Sequence, residues 1–425
     1  MSRFLYTFML LVSSPILLWG LYRKRPNKLG FDKRWKEHFG YTPTLNNRKT
    51  GVIWIHAVSV GEVLASKRLI QQLQQIFPQK VILVTTTTST GAEQVARLEG
   101  IEHRYMPIDF SWCVKGFLKK VRPDVMFIIE TELWPNTIHQ VNALNIPIVL
   151  VNGRLSEKSC NNYQKLLVLI QPMLNKLSTI LTVHKDDTER FISLGAEPNK
   201  VVTTGSIKYD LTIDEDIVQQ GLALRKQLGT MRPVFVAAST HNGEDEKILA
   251  AYQLAKKTLS GLLLILIPRH PERFDEVGKL VTQSGLVYFK RTELGTHPLA
   301  EYADVYLADT IGEMLILMSA SDLVFMGGSL LGSKVGGHNF IEPVTLCKPC
   351  LTGPSYYNFS DVASQLISLG ALRVISSEDE LSIEINDFFE NGSVFMKRAE
   401  IGANSLIKNQ GALTKTIDIC MRYIV

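Results

Sequence analysis

The segment Glu130-Thr131-Glu132-Leu133-Trp134-Pro135-Asn136 sets two carboxylates directly after a short apolar run, Val125 to Ile129. A run of that kind reads as a strand covered on both faces, as in a parallel sheet. Open α/β sheets carry their chemistry at strand carboxyl ends, so these glutamates fall where a site would form. The alternative is that Glu132 faces solvent and only Glu130, or neither, acts. A third carboxylate, Glu62, closes His56-Ala57-Val58-Ser59-Val60-Gly61-Glu62, between an apolar run and the amphipathic segment 63–77. In a helix's first turn the dipole favours the ionised form, which suits a general base, although a Glu there can also be only a favourable first-turn residue. Thr85 to Gly91 is another strand-to-helix connection. It offers hydroxyls and amides, or serves the turn alone.

Cations and glycines gather further along. Lys208, in Gly205-Ser206-Ile207-Lys208, can neutralise a phosphate or a developing negative charge. Pro268-Arg269-His270-Pro271 closes the apolar run 262–267, where two prolines fix the backbone and Arg269 can grip an anion or stack on a base. Gly327-Gly328-Ser329 and Gly336-Gly337-His338-Asn339 follow another strand, and glycines there let amides approach phosphate oxygens. Glu342, just beyond, can accept hydrogen bonds from ribose hydroxyls. Neither a P-loop nor a G-x-G-x-x-G after the first strand is present, which excludes the two common nucleotide fingerprints.

The elements that must position these residues alternate along the chain. Apolar runs at 52–56, 81–85, 125–129, 146–151 and 180–183 are separated by helix-length segments, and so are runs at 234–238, 262–267, 287–290, 305–307, 323–327 and 349–351. Such spacing predicts parallel strands and two doubly wound α/β sheets. At 425 residues the chain is too long for one ordinary core. Polar residues 213–227 read as the segment between domains. The expected division is 1–25, 26–212 and 213–425, with the last helix able to pack back on the first domain and a ligand cleft between the two sheets.

Residues Phe4 to Tyr22 carry no charge and suffice for a membrane-crossing helix, although Pro15 and two serines leave room for a helix lying in the interface. Nine Lys/Arg between Arg23 and Lys49 meet only Asp32 and Glu37, which suits anionic headgroups or a plain stop-transfer signal. That asymmetry places the body on the cytoplasmic side. The five cysteines, odd in number and mostly far apart, suit a reducing compartment, and Cys347-Lys348-Pro349-Cys350 is assigned no chemistry.

Taken together, HAVSVGE, TTTTSTG, ETELWPN, NGRLS, GSIKYD, AASTHNGEDE, PRHPERF, DTIGEM, FMGGSL and GGHNFIEP closely resemble the 3-deoxy-D-manno-octulosonic acid (Kdo) transferases of lipopolysaccharide synthesis. The resemblance implies the two-domain type B glycosyltransferase fold and an inverting transfer of Kdo from CMP-Kdo to the phosphorylated, acylated disaccharide precursor of lipid A. It also implies a place on the cytoplasmic face of a bacterial inner membrane. By the same resemblance Glu62 is the general base, and Glu130 and Lys208 stabilise the transition state. CMP is held by Pro268 and Arg269, by Ile311, Gly312 and Glu313, and by Asn339, Phe340, Ile341 and Glu342. A monophosphate leaving group lessens the need for a divalent metal, so no metal or other cofactor is expected, and no nucleic-acid partner. The connection 330–335 looks longer than the family's, and Pro343-Val344 stands where small residues are usual. Other enzymes of this architecture, such as a nucleotide-sugar epimerase or a UDP-sugar transferase, are the alternatives, as is a non-catalytic membrane-anchored lipid-binding scaffold.

Overall fold

A computed structural model describes residues 2–23, 30–45, 51–211, 213–293 and 302–424. Lys24, Arg25, Lys28, Arg48 and Lys49 of the basic stretch, and the expected boundaries at residue 25 and Thr212, lie outside the described residues. The chain forms two compact units, Met1–Asp210 with Asn409–Val425, and Leu211–Lys408.

In the first unit the strands are β1 (Val52–His56), β2 (Val81–Thr86), β3 (Glu102–Tyr105), β4 (Val125–Ile129), β5 (Ile148–Gly153), β6 (Thr179–Thr182) and β7 (Val201–Thr203). They lie side by side in the order β3-β2-β1-β4-β5-β6-β7, every pair parallel. Alternate residues of a strand point to opposite faces. Thus Trp54 and Ile128 enter one core with Phe117 and Phe191, while Ile53, Ile55 and Phe127 enter the other with Val63 and Leu69. That second face is completed by the C-terminal helix Ala412–Met421, whose Leu413 and Ile417 pack with the helix Val60–Ile76.

The second unit repeats the plan with β8 (Val234–Thr240), β9 (Leu263–Pro268), β10 (Tyr288–Lys290), β11 (Val305–Leu307), β12 (Leu323–Met326), β13 (Cys350–Thr352) and β14 (Leu372–Val374). Their order is β10-β11-β9-β8-β12-β13-β14, again wholly parallel. One face of this sheet is covered by Tyr252 and by Leu381, Ile385 and Phe388 of the long helix Glu378–Lys408.

All the expected strands form, shifted by at most two residues, and β3, β7 and β14 are additional. The polar stretch 213–227 is not a linker. It is mostly the helix Glu215–Leu228, which buries Gly221, Leu224 and Leu228 and brings Gly221 against Ser319 of the helix Met314–Ser319. An amphipathic helix with a narrow apolar stripe looks polar when read by composition alone.

The return of the C-terminus is fixed electrostatically. Both carboxylate oxygens of Asp210 accept from backbone amides that open the last helix, one from Gly411 and one from Leu413. Hydrogen bonds to a charged acceptor contribute more than neutral ones, so Asp210→Ala is expected to destabilise the first unit by about 1–3 kcal/mol. Urea unfolding of the full chain checks this, with a midpoint unchanged from the parent ruling the cap out as a stabiliser.

Candidate active site

The strand order of the first sheet reverses between β1 and β4, the position at which open α/β sheets leave a crevice beyond their strand ends. Glu62 follows β1 there and Glu130 follows β4. Glu62 is the third residue of the helix Val60–Ile76 and is only 7% exposed. Its Oε2 accepts from the Val58 amide at 2.7 Å and its Oε1 from the Ser59 hydroxyl at 2.8 Å. Burial raises its carboxyl to about 7, with a further push from the charges of Glu132 and Glu130 and an opposing pull from the two hydrogen bonds. Desolvation thus opposes the ionised form that a first-turn position favours, and the group stands near neutrality, where a base is most effective.

Glu130 adopts the left-handed backbone conformation, φ +60°. Its amide bonds Val151 of β5 at 2.8 Å, and its carboxylate pairs with the Lys208 ammonium at 2.9 Å. Glu132 instead accepts from the Trp134 indole at 3.1 Å and is half-buried. Trp134 meets the His56 ring edge-on, 5.2 Å between centroids. His56 is fully buried with Nδ1 on Thr85, and burial drops its imidazole to about 4. The helix Pro135–Asn142 that follows is seated by Asp109, whose carboxylate accepts from the Asn136 and Thr137 amides at 3.0 and 2.7 Å. Glu62, Glu130 and Lys208 are thus brought to one edge of one sheet.

Three hydroxyls of the threonine-rich turn serve structure, while those of Thr87 and Ser89 are buried without a hydrogen-bond partner among the described residues. Thr85 accepts from Trp54, Thr86 contacts His103, and Thr88 caps the helix Ser89–Ala96 through the Gly91 amide. Those hydroxyls are engaged inside the first unit.

In the second unit the reversal falls between β8 and β12. Pro268 and Arg269 lie at the end of β9, Ile311, Gly312 and Glu313 beyond β11, and Asn339 to Glu342 beyond β12. All occupy the carboxyl edge of that sheet. Ile311 is exposed and Gly312 takes φ +89°. Glu313 is clamped by Arg291 through two bonds, 2.9 and 3.2 Å, and this contact holds its carboxyl below the usual range. Asn339 accepts from the Ile341 amide and donates to Glu342, which fixes the start of the short helix Ile341–Thr345 with Pro343 inside it. Phe340 and Ile341 are buried packing residues.

Of the two glycine clusters expected to turn amides toward a phosphate, the first already has its amides taken. Gly328, Ser329 and Leu330 donate to the carboxylate of Glu244, at 2.7, 3.0 and 3.0 Å, and the His241 amide adds a fourth bond. Glu244 has no exposed surface, and burial raises its carboxyl against the pull of these amides. Gly328 is obligatory, because its φ is +68° and a Cβ would sit 2.7 Å from the His338 ring. His338 stacks on His241 with Nε2 atoms 2.8 Å apart, and His270 meets His241 edge-on. Burial, with the neighbouring charges of Arg269 and His270, lowers both imidazoles, His241 to about 4 and His338 to about 3. Glu244, His241 and His338 lie within longer sequence motifs but carry no recognisable signature of a role. The available signal is an acidic pair, Glu244-Asp245, four residues beyond β8. Asp245 is fully buried and pairs with Arg273 at 2.6 Å. Among the described residues, no cluster of three or more His, Cys, Asp or Glu side chains is placed to hold a metal ion.

Residues 33–211 match the family model described as 3-deoxy-D-manno-octulosonic-acid transferase (kdotransferase). Over its whole length the chain is 36% identical to the 3-deoxy-D-manno-octulosonic acid transferase of Haemophilus influenzae, covering 99% of that protein. The chain belongs to the Kdo transferase family. The chain is also similar to the crystal structure of the C-terminal CMP-Kdo binding domain of WaaA from Acinetobacter baumannii, at 30% identity and TM-score 0.41, with 44% of this chain and 98% of that one covered. MurG of Acinetobacter baumannii, 11% identical over 87% of this chain and 99% of its own, aligns with TM-score 0.50 and shares the fold alone. The Kdo transferase is accordingly a glycosyltransferase with two Rossmann-like sheets of the type B kind.

In this transferase the state of Glu62 is tied to stability. Its folded-state value lies above its ordinary 4.5, so the neutral carboxyl's contribution to stability is complete below about 4.5 and is lost as the pH rises through about 7. Glu62→Gln removes that loss. The variant is expected to match the parent in acid and to exceed it by about 1–3 kcal/mol in mild base. Denaturation midpoints across this pH range test it, and a pH-independent difference between the two proteins would contradict the assignment.

Proposed function

We propose that the protein transfers Kdo from CMP-Kdo to a hydroxyl of the phosphorylated, acylated disaccharide precursor of lipid A, with inversion at the anomeric carbon and release of CMP. The observation that carries this reading is Glu62, a buried carboxyl poised near neutrality beside Glu130 at the strand reversal of the first sheet. Such a group can take the proton of an acceptor hydroxyl as that oxygen attacks, while the bond to the CMP phosphate breaks. One displacement by one base inverts the anomeric centre and needs no covalent sugar intermediate. Glu130 favours the positive charge that grows at the anomeric carbon, and Lys208 favours the departing phosphate. Their ion pair orients both before substrate arrives.

The donor is assigned to the carboxyl edge of the second sheet. Arg269 supplies positive charge for the phosphate, and the loop 311–313, steadied by the Arg291–Glu313 clamp, borders the nucleoside. Asn339 and Glu342 offer polar groups for the ribose, while Phe340 and Ile341 hold that turn in place. The acceptor carries acyl chains and phosphates. An apolar N-terminal helix, Ser2–Tyr22, followed by a basic stretch suits an enzyme held at the cytoplasmic face of an anionic bacterial inner membrane, where such a substrate resides.

The test is transfer of radiolabelled Kdo, with CMP-Kdo generated in situ, to lipid A precursor by the full chain. The parent should label the lipid, with kcat/KM rising tenfold per pH unit up to about 7 and then levelling. Glu62→Ala should lower kcat by about 10²–10⁴-fold while CMP binding stays near normal. Absence of lipid labelling by the parent, with donor formation verified, would reject this acceptor. Full activity in Glu62→Ala would reject the base.

A further inference from the structure

The N-terminal helix is long and apolar enough to cross a bilayer, yet its contacts do not suit a crossing. Near its start, the Tyr6 hydroxyl donates to Asp109 at 2.9 Å, and Asn136 donates to the Thr7 hydroxyl at 2.9 Å. At its end, the Tyr22 hydroxyl bonds His38 Nδ1 at 2.7 Å and its ring packs edge-on against Phe31. Tyr6 and Tyr22 are about 24 Å apart along the axis. Between them Leu10, Ser13, Ser14, Leu18 and Leu21 are partly covered, and the spacing of three and four residues marks one continuous stripe. The helix lies beside the helices Pro135–Asn142 and Leu167–Leu174 of the same unit.

The opposite face is bare. Phe4, Phe8, Val12, Ile16 and Trp19 are each more than half exposed. On the flanking helix Leu167–Leu174 and its N-cap, Val168 and Leu166 are exposed as well. A cation stands at each end. Arg3 lies in the helix's first turn, and Arg23 lies over the Trp19 ring at 4.9 Å. An apolar face with a cation at either end fits a leaflet with anionic headgroups.

We infer that the helix Ser2–Tyr22 lies in the plane of the membrane, its bare face in the headgroup and acyl boundary and its other face on the first unit, so that both of its ends stay on the side of the folded body. The inference rests on the membrane location proposed above. A crossing helix with Tyr22 at the cytoplasmic surface would take Tyr6 about 24 Å from that surface, across most of the hydrocarbon core. It would then either break the bonds to Asp109 and Asn136 or draw that charged part of the first unit into hydrocarbon, where unsatisfied polar groups are strongly disfavoured. In the plane, both conditions are met without loss.

The test places a reporter at the chain start. Full-length protein carrying Ser2→Cys is expressed in bacteria, and inverted inner-membrane vesicles, cytoplasmic face outward, are floated and treated with a membrane-impermeant maleimide. The parent, whose Cys113, Cys160, Cys350 and Cys420 are buried, provides the background. An in-plane helix gives Ser2→Cys the same labelling above background with and without detergent. Labelling only after detergent would place the start across the bilayer and overturn the in-plane arrangement while leaving membrane anchoring intact. Failure of the chain to float with the vesicles would overturn both.

Discussion

A carboxylate taken out of water and held by backbone N–H groups is the interaction on which both sheets' working edges depend. Such a charge is tolerated only where donors replace its hydration, so each one dictates the path of the loop that supplies them. Glu62 fixes the turn at Val58 and Ser59. Asp109 seats the helix that follows Glu130 and also takes the Tyr6 hydroxyl, so the edge that carries Glu130 and the apolar N-terminal helix share one anchor. Glu244 gathers three successive amides after β12 and a fourth after β8, across the reversal of the second sheet. Removing any of these acceptors would leave buried donors without partners, a larger penalty than losing one surface ion pair.

The strands were legible wherever a strand is buried on both faces, because the signal is then a continuous apolar run. The three unread strands explain themselves by position. β3 and β7 are the two edges of the first sheet and β14 is one edge of the second. Edge strands bury less and carry polar side chains, as in Glu102-His103-Arg104-Tyr105 and in Arg373 of β14. The segment 213–227 failed for the opposite reason. Its few buried positions are correctly spaced for a helix but too sparse to outweigh its charges.

At the site, residue type and position after a strand singled out Glu62, Glu130 and Arg269, while Lys208 stood out by its charge after Gly205-Ser206-Ile207, since β7 was unread. Their partners were not readable. The pairing of Lys208 with Glu130 joins residues after two different strands, and the capture of the Gly328 to Leu330 amides by Glu244 spans more than eighty residues. Glycines after a strand announce accessible amides, but whether a ligand or the protein's own carboxylate fills them is settled by tertiary contact. The same limit applies to Glu62, where the helix dipole was visible locally and the burial that opposes it was not.

Glu130 shows what the fold accepts to position this chemistry. A non-glycine residue at φ +60° is strained by about 1–3 kcal/mol, and glycine would relieve that strain while removing the carboxylate. The neighbouring strand end repeats the device, since Asn152 at the end of β5 takes φ +57° and its side-chain oxygen accepts from the Ile207 amide. Two adjacent left-handed turns thus bring the 205–208 loop to β4, and with it Lys208. The strain persists because the surroundings over-determine it: the Glu130 amide is tied to Val151 and its carboxylate to Lys208. Side chains constrained in this way lose little further freedom when substrate binds, so binding free energy can go into stabilising the transition state rather than into ordering the site.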